Sequence, residues 1–334
     1  MYKKILVSIM LMVFGLSTVY GQTAQKKQPQ QSQVTNLQEN TDFVAIITRL
    51  SGKVLFQRKK DTVKWEKAKL NLPLYEGDKI KTEESSQATL WLRIGGIISV
   101  NQKETLVVTV PQEKKAEPLF SNLWEAFTRK IRRSQVREEL DSMLVIKSYD
   151  SAYKIDVLSP RNTKLLAAPT VFEWTPVSDA KEYVLTIGYF SGMQKIWQTK
   201  VNDTMYSFEN KTLPEFIMGK PYLWEIEAYN DEGQPIASDS TWFTIMTEGE
   251  RDAIKNDVEL ITQSASNDKA TVNLLLAAFY EDNELYWESE RLLKELLKDV
   301  DQPIIHLMLG DLYLKLGLVK QSLRETQNGS EITQ

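Results

Sequence analysis

The spacing of apolar residues divides the chain into two β-rich regions followed by a helical region. Apolar and polar residues alternate in "QATLWLRIGGIISV" (87–100). One face carries Ala88, Leu90, Leu92 and Ile94, and the other carries Thr89, Trp91 and Arg93. This period of two is typical of a half-buried strand. Gly95-Gly96 lies between two β runs, which predicts a two-residue hairpin turn. We therefore predict a compact all-β domain over 43–112.

Two acids flank a glycine in "LYEGDKIKT" (74–82) and raise the question of an active site. Gly77 can adopt a positive φ, and the Asp78 side chain can hydrogen-bond nearby backbone, so the stretch has good turn chemistry. A catalytic carboxylate normally needs a second acid or a base nearby. The candidates, Glu83 and Glu84, lie in a polar stretch that is equally typical of a solvated loop. We interpret this stretch as a turn.

A second β domain and a linking helix follow. Seven short β runs with turn signals between them predict a sandwich over 151–247. Before it, an amphipathic linking helix is predicted over 113–150, because Leu119, Leu123, Phe127 and Ile131 recur at four-residue spacing. The helix is locally basic through Arg129, Lys130, Arg132, Arg133 and Arg137. Two interpretations remain open: residues 118–147 contact a membrane or an acidic partner, or they pack on a neighbouring domain with solvated arginines.

The C-terminal part has a helical pattern with an internal repeat. Residues 250–265 predict one amphipathic helix. Beyond it, Leu276, Tyr280 and Ser289 recur 33 positions later as Leu309, Tyr313 and Ser322. A period of this size is typical of stacked helical pairs. We predict helical repeats over 248–327.

The N-terminus predicts export. Two lysines precede an apolar run at 5–16 that is too short to span a bilayer comfortably, and Val19-Tyr20-Gly21 suits a cleavage site. We expect a signal peptide at 1–21, a mature chain that begins at Gln22, and a disordered Gln-rich tether to residue 42. The alternative is an uncleaved N-terminal anchor. The expected location is the periplasm or outer cell surface of a bacterium.

Composition limits the chemistry that the chain can perform. It has no cysteine and a single histidine, His306, so a thiol nucleophile is excluded and a histidine-based triad or metal cluster would rest on one residue. His306 lies among Leu and Met residues with no second ligand one turn later, and we interpret it as a packing or rim residue. The formal net charge of −4 gives no reason to expect nucleic acid. We predict no cofactor, no metal and no enzymatic activity.

The first β domain resembles a known family. The stretches "LSGKVLF", "LPLYEGDKIKT", "SSQATLWLRIGGIISV" and "TLVV", together with Trp65, are similar to the FecR domain, an exported β domain, over about 45–110. The resemblance implies periplasmic sensing or binding. Name-giving members signal to an anti-sigma system through an N-terminal cytoplasmic region and a membrane span, whereas this chain has only a predicted signal peptide there.

The second β domain resembles fibronectin type III over "FEWTPVSDAKEYVLTIG", "FIMGKPYLWEIEAYNDEGQ" and "SDSTWFTI". Trp174 matches the core tryptophan of that family. Phe216, Gly219 and Tyr222 match its tyrosine corner, in which the hydroxyl ties a loop to the sheet. The resemblance implies a spacing or binding module. For Trp197, Trp224 and Trp242, two interpretations stay open: sugar-stacking platforms, or core and half-buried strand positions, which are the commoner case.

The repeats "LLLAAFYEDNELYWESERLLKELL" and "LGDLYLKLG" resemble tetratricopeptide units. In such arrays the first helices line a concave groove. The resemblance implies that the inward residues are Thr271, Leu274, Ala278, Glu281, Ile304, Leu307, Asp311 and Leu314. Among them we predict Leu274, Glu281, Leu307, Asp311 and Leu314 as partner-binding residues, suited to an amphipathic helix or an extended peptide with one or two basic residues. The alternative is that these leucines are buried against 250–265 or against the sandwich.

Together the patterns and resemblances predict a multidomain, non-enzymatic binding or scaffold protein of the cell envelope. The expected partner is an envelope protein or peptide, or peptidoglycan or another surface glycan. Two alternatives remain: a periplasmic sensor that regulates a membrane signalling partner of the anti-sigma type, and a surface glycan-processing enzyme. The second would need two carboxylates about 5–10 Å apart in one cleft.

Overall fold

The computed structural model describes residues 43–61, 63–109, 117–140, 154–192, 194–209, 212–264, 268–299 and 301–331. The predicted signal peptide at 1–21 and the tether at 22–42 lie outside this part of the chain.

Short strands build the first β region. They are β1 (Phe43–Ser51), β2 (Val54–Gln57), β3 (Glu66–Lys67), β4 (Pro73–Tyr75), β5 (Lys79–Thr82), β6 (Gln87–Leu92), β7 (Gly96–Val100) and β8 (Thr105–Val107). They form two antiparallel four-stranded sheets, in the orders β4-β1-β6-β7 and β3-β2-β5-β8. Buried residues of both sheets, such as Ile47, Ile80 and Leu90, share one apolar core.

The β6–β7 hairpin differs from the prediction in two details. Leu92 pairs with Gly96, so the loop has three residues, Arg93 to Gly95, and Gly95 has a φ of +83°. Strand β6 is also buried on both faces, since Thr89 and Trp91 are 2% and 1% exposed. The expectation of a half-buried strand was wrong because a helix from later in the chain covers the Trp91 face.

The second β region has its own core between two sheets. Its strands are β9 (Val157–Ser159), β10 (Thr163–Leu165), β11 (Val171–Trp174), β12 (Glu182–Tyr189), β13 (Lys195–Val201), β14 (Met205–Ser207), β15 (Pro221–Tyr229) and β16 (Pro235–Ile245). The five-stranded sheet has the order β10-β16-β15-β12-β13 and the three-stranded sheet β14-β11-β9. Pairing is antiparallel except between β10 and β16. Trp174, Tyr222 and Trp224 are buried in this core, as in a sandwich.

Helices complete the described structure. Helix α1 (Pro118–Leu140) links the two β regions. After them come α2 (Glu248–Ser264), α3 (Lys269–Asp282), α4 (Tyr286–Asp299), α5 (Pro303–Lys315) and α6 (Val319–Glu331). The Asp268 side chain caps α3 by accepting from the Thr271 amide, and Pro303 occupies the first turn of α5, where its missing N–H costs nothing. None of these helices, in the part of the chain that the structure describes, is both long enough and apolar enough to cross a bilayer.

Candidate interaction surfaces

Helix α1 lies between the first β region and the helical region. The Trp124 ring is 5.3 Å from that of Phe43 and 5.0 Å from that of Trp91, and the Phe127 ring is 5.4 Å from that of Trp91. The same apolar core continues through α1 into α3 and α5. For the part of α1 whose side chains are described, 118–130, the apolar face that a membrane-bound helix would insert is thus buried within the protein. Membrane contact through the basic positions of 118–147 stays a prediction.

A buried carboxylate on α3 binds two lysines. The Glu281 side chain is 1% exposed. Its Oε2 accepts from Lys130 Nζ of α1 at 2.5 Å. Lys315 Nζ of α5 lies 2.7 Å from Oε1, an ion pair without good hydrogen-bond alignment. Because Lys130 is itself only 11% exposed, this pair is shielded from the solvent that weakens surface salt bridges. Glu281 therefore connects α1, α3 and α5.

The first half of the predicted partner-binding set is covered by the chain itself. Leu274 is 4% exposed and belongs to the core that α1 enters, while Glu281 is neutralised by Lys130 and Lys315. The expectation that these two residues are open to a partner is corrected. The alternative, that the leucines are buried against 250–265 or the sandwich, is supported for Leu274, which shares its apolar core with Ile254 and Ile261 of α2. Glu281 is instead reached by lysines of α1 and α5. The helix that contacts this side of α3 does carry basic residues, but it is α1 of the same chain and not a helix of a partner.

The second half of the set differs in exposure. Leu307 and Asp311 are half-buried, and Leu314 is 47% exposed. Asp311 already takes part in an interaction within the protein. Leu314 is followed by Lys315, whose Nζ lies 5.9 Å from the centre of the Tyr286 ring. Partner binding by these residues stays a prediction, and Leu314 offers the most accessible surface for it.

The single histidine is held by two carboxylates. His306 Nδ1 lies 2.6 Å from Glu325 Oε2, and Nε2 lies 2.8 Å from Asp301 Oδ1. Both ring nitrogens are thus in contact with carboxylate oxygens of the protein itself. Among the residues described, no group of three or more acids and histidines is arranged to hold a metal ion. His306 thus joins α5 to α6.

The Glu76-Gly77-Asp78 stretch is a turn, as predicted. The Asp78 amide donates to the Tyr75 carbonyl at 3.0 Å. The Asp78 carboxylate is buried and accepts from the Lys59 and Tyr75 amides, each at 3.0 Å, and from Arg58 Nη1 at 2.6 Å. These three bonds occupy most of the acceptor positions of the carboxylate within the turn. Asp78 therefore holds the β4–β5 turn against the end of β2.

The tryptophans that were candidate sugar platforms lie in different environments. Trp224 is fully buried, and its Nε1 donates to the Pro160 carbonyl at 2.7 Å. Trp197 packs against the core, 4.8 Å from the Phe208 ring. Trp242 instead pairs with Leu223 across β15 and β16 on the face that points away from the core. The platform interpretation thus keeps only Trp242.

Two glutamates beside Trp242 were not predicted as candidate site residues from the sequence. Glu225 and Glu227 share its face of the five-stranded sheet, because alternate β15 residues point away from the core. The signal was present in "YLWEIEA" (222–228): one set of alternate positions holds aromatic and apolar residues, and the other mixes a leucine with two acids.

No protein-family model and no curated protein matches the chain. Its structural neighbours include a "Cell surface anchoring domain" at 23% identity, covering 20% of this chain and 84% of that one, with a TM-score of 0.19. They also include fibronectin(III)-like modules of Clostridium thermocellum CbhA, at 13% identity, with coverage of 28% and 95% and a TM-score of 0.21. Astrotactin-2, a vertebrate membrane protein, matches at 8% identity, with coverage of 54% and 35% and a TM-score of 0.17. These likenesses are too low to establish a family.

Proposed function

We propose that the protein is an exported, non-enzymatic binding or scaffold protein of the bacterial cell envelope. The resemblances to FecR, fibronectin type III and tetratricopeptide modules motivate the proposal. The observation that carries it is the way α1 joins the first β region to the helices through a shared core. Such a core fixes the relative orientation of surfaces that separate modules on flexible linkers would present at variable angles.

A polar junction holds the sandwich to the helices. The Lys164 amide donates to the Glu284 carbonyl at 2.9 Å, which extends the β10 edge into the α3–α4 turn. Thr163 Oγ1 accepts from the Tyr286 amide at 3.0 Å. Arg161 Nε donates to the Leu316 carbonyl at 2.7 Å. Each of these bonds has a backbone group on at least one side, whose position is fixed by the fold, so together they support a rigid frame for binding.

The chemically reactive residues support binding over catalysis. The His306 ring and the Asp78 carboxylate are engaged in structural contacts. Glu225 and Glu227 lie on one face of a sheet, whereas a glycan-processing site places its two acids on opposite sides of the scissile bond in a cleft. A binding protein needs no such constellation. The surface at Leu314, at the exposed end of the predicted groove, is the proposed place of contact with an envelope protein or peptide.

Because the chain has no cysteine, one introduced cysteine gives a unique attachment point. Leu314 is 47% exposed in the native protein. The Leu314→Cys variant is labelled with a thiol-reactive photocrosslinker, added to envelope membranes and irradiated. The control is Val63→Cys, at a position that is 87% exposed in the first β region. We expect a discrete adduct at position 314 that excess unlabelled protein abolishes. The same adducts at both positions, or none at 314, would contradict the proposal.

A further inference from the structure

The solvent face of the five-stranded sheet carries an apolar pair with no place in the protein core. Leu223 of β15 lies directly opposite Trp242 of β16, and both are half-buried. Neither belongs to the apolar cores of the described residues. Their neighbours Tyr222 and Phe243 point to the opposite face and are fully buried. The core therefore does not account for a tryptophan and a leucine on this face.

Two carboxylates continue the same row along β15. Glu225 and Glu227 are two residues apart on an extended strand, which separates their Cα atoms by about 6.8 Å. Within the described residues, neither has a Lys or Arg nitrogen within ion-pair distance, and Glu227 is hydrogen-bonded to Tyr229. Elsewhere on the face, Glu182 is satisfied by Lys200 at 2.7 Å. The pair is thus a local excess of negative charge beside the apolar pair.

The environment of Glu225 disfavours its charged form. Burial raises the pKa of its carboxyl, and the neighbouring charge of Glu227 raises it further. A cation placed between the two carboxylates would relieve their repulsion. It would also gain more from each contact than at a fully solvated site, because the half-buried sheet face screens charges less than water does.

We propose that this face binds an extended segment of another protein that carries Arg or Lys at alternate positions. Side chains two residues apart on an extended chain project to one side at the same spacing of about 6.8 Å as Glu225 and Glu227. Their aliphatic stems pack on Leu223, and a guanidinium stacks on the face of Trp242. A neutral glycan would satisfy Trp242 but would leave both carboxylate charges uncompensated, so charge complementarity favours the cationic segment.

The inference deepens the proposed binding function by naming a second surface, and it rests on that function only for its biological setting. Leu314 lies on α5, while Trp242 and the two glutamates lie on the sandwich sheet. The two experiments therefore fail independently. A missing adduct at position 314 with intact peptide binding would contradict the groove alone, and the reverse result would contradict the sheet face alone.

The test uses the full mature chain and a labelled peptide of four Arg-Thr repeats, measured by fluorescence anisotropy. Glu225→Gln with Glu227→Gln removes both charges without changing shape. The matched control is Asp231→Asn with Glu232→Gln, an equal charge change at the exposed β15–β16 turn. We expect the first variant to weaken binding at least about tenfold and the control by less than about twofold, since charge pairs at a desolvated contact outweigh long-range attraction. Trp242→Leu should weaken it about fivefold, the loss of a cation–π contact.

Two further probes make the result decisive. A peptide with citrulline in place of arginine keeps the shape and loses the charge, and it should not bind. Oligomers of N-acetylglucosamine test the glycan source. Equal weakening by both double variants would overturn the proposal, as would binding of the glycan that depends on Trp242 but not on the glutamates. Unchanged melting temperatures of the glutamine variants establish that lost binding is not lost folding.

Discussion

Lys130 and Glu281 are 151 residues apart in the sequence, yet Lys130 Nζ lies 2.5 Å from Glu281 Oε2 in the interior of the protein. The contact joins the linking helix to the first repeat helix. Lys315 reaches the other carboxylate oxygen from the second repeat. One acid thus connects three helices, α1, α3 and α5.

Replacing Glu281 by glutamine should destabilise the whole protein. The change leaves Lys130 buried beside a neutral amide, and breaking a buried ion pair from one side costs about 3 kcal/mol or more. Urea unfolding at neutral pH measures the free energy of unfolding. The control is Glu295→Gln on α4, whose carboxylate is 44% exposed and pairs with Arg291 within the same helix. We expect the control to change stability by less than about 0.5 kcal/mol.

The double variant Lys130→Met with Glu281→Gln distinguishes pairing from packing. If the cost comes from an unpaired buried charge, removal of Lys130 should recover a good part of it. Additive losses would show instead that the two residues act independently. A reversal to Glu281→Lys should lower the melting temperature, so it is unsuitable as a probe of partner binding.

Much of the fold could be predicted because the decisive signals were local. The alternation in "QATLWLRIGG" placed β6, and the 33-residue repeat placed the helices around Tyr280 and Tyr313. The turn at Asp78 followed from Gly77, which has a φ of +90°. Each of these features depends on residues that lie close together in the sequence.

The surface that α1 covers could not be predicted, because it depends on contacts between distant segments. The face of β6 that carries Trp91 reads as solvent-exposed until Trp124 and Phe127 are brought against it. In the same way, Glu281 reads as a surface acid until Lys130 approaches it. A single sequence contains the amphipathic pattern of α1 but not the identity of the surface that it covers.

Tyr222→Phe should destabilise the protein by about 1 kcal/mol or more. The Tyr222 hydroxyl accepts from the Ile217 amide at 2.6 Å while the ring is fully buried, so the variant leaves a backbone donor without its partner. The control is Tyr189→Phe: that ring lies 5.5 Å from Tyr222, and its hydroxyl has no hydrogen bond within the described residues. Equal urea midpoints for Tyr222→Phe and wild type would count against the tyrosine corner.

Gly95→Ala should disturb the docking of α1. Gly95 has a φ of +83°, and a methyl group at its Cα would overlap the Phe120 ring at the start of α1. The backbone strain costs about 1 kcal/mol, and the overlap adds about 1–3 kcal/mol as the ring is forced aside.

Gly192→Ala is the control that introduces the backbone strain without the overlap with Phe120. Gly192 has nearly the same φ, +82°, but no atom within 4 Å of the added methyl. The difference between the two variants in the free energy of unfolding therefore measures the contact with Phe120. Equal losses for both would mean that α1 yields to the methyl group without cost.

Glu288 is expected to make stability depend on pH in an unusual direction. It is 4% exposed; Oε1 accepts from the Leu166 amide at 3.3 Å, and Oε2 has no partner in the described structure. Burial raises the pKa of its carboxyl, while the Leu166 amide and the charge of Arg291 partly oppose this, and Tyr280 faces it from α3. A carboxyl whose pKa is higher in the folded state than its unfolded value of about 4.3 favours folding at low pH. That contribution is lost as the pH rises through the folded pKa.

Glu288→Gln removes this titration and keeps an acceptor for Leu166. The difference in the free energy of unfolding, variant minus wild type, should therefore increase with pH and level off once wild-type Glu288 is ionised. Urea unfolding of both proteins between pH 4 and pH 9 measures it. Glu295→Gln on the same helix, at a position exposed to solvent, should show no such trend. A difference that stays constant would mean that folding leaves the pKa of Glu288 unchanged, and one that decreases with pH would mean that the folded protein stabilises its charged form; either result would contradict the prediction.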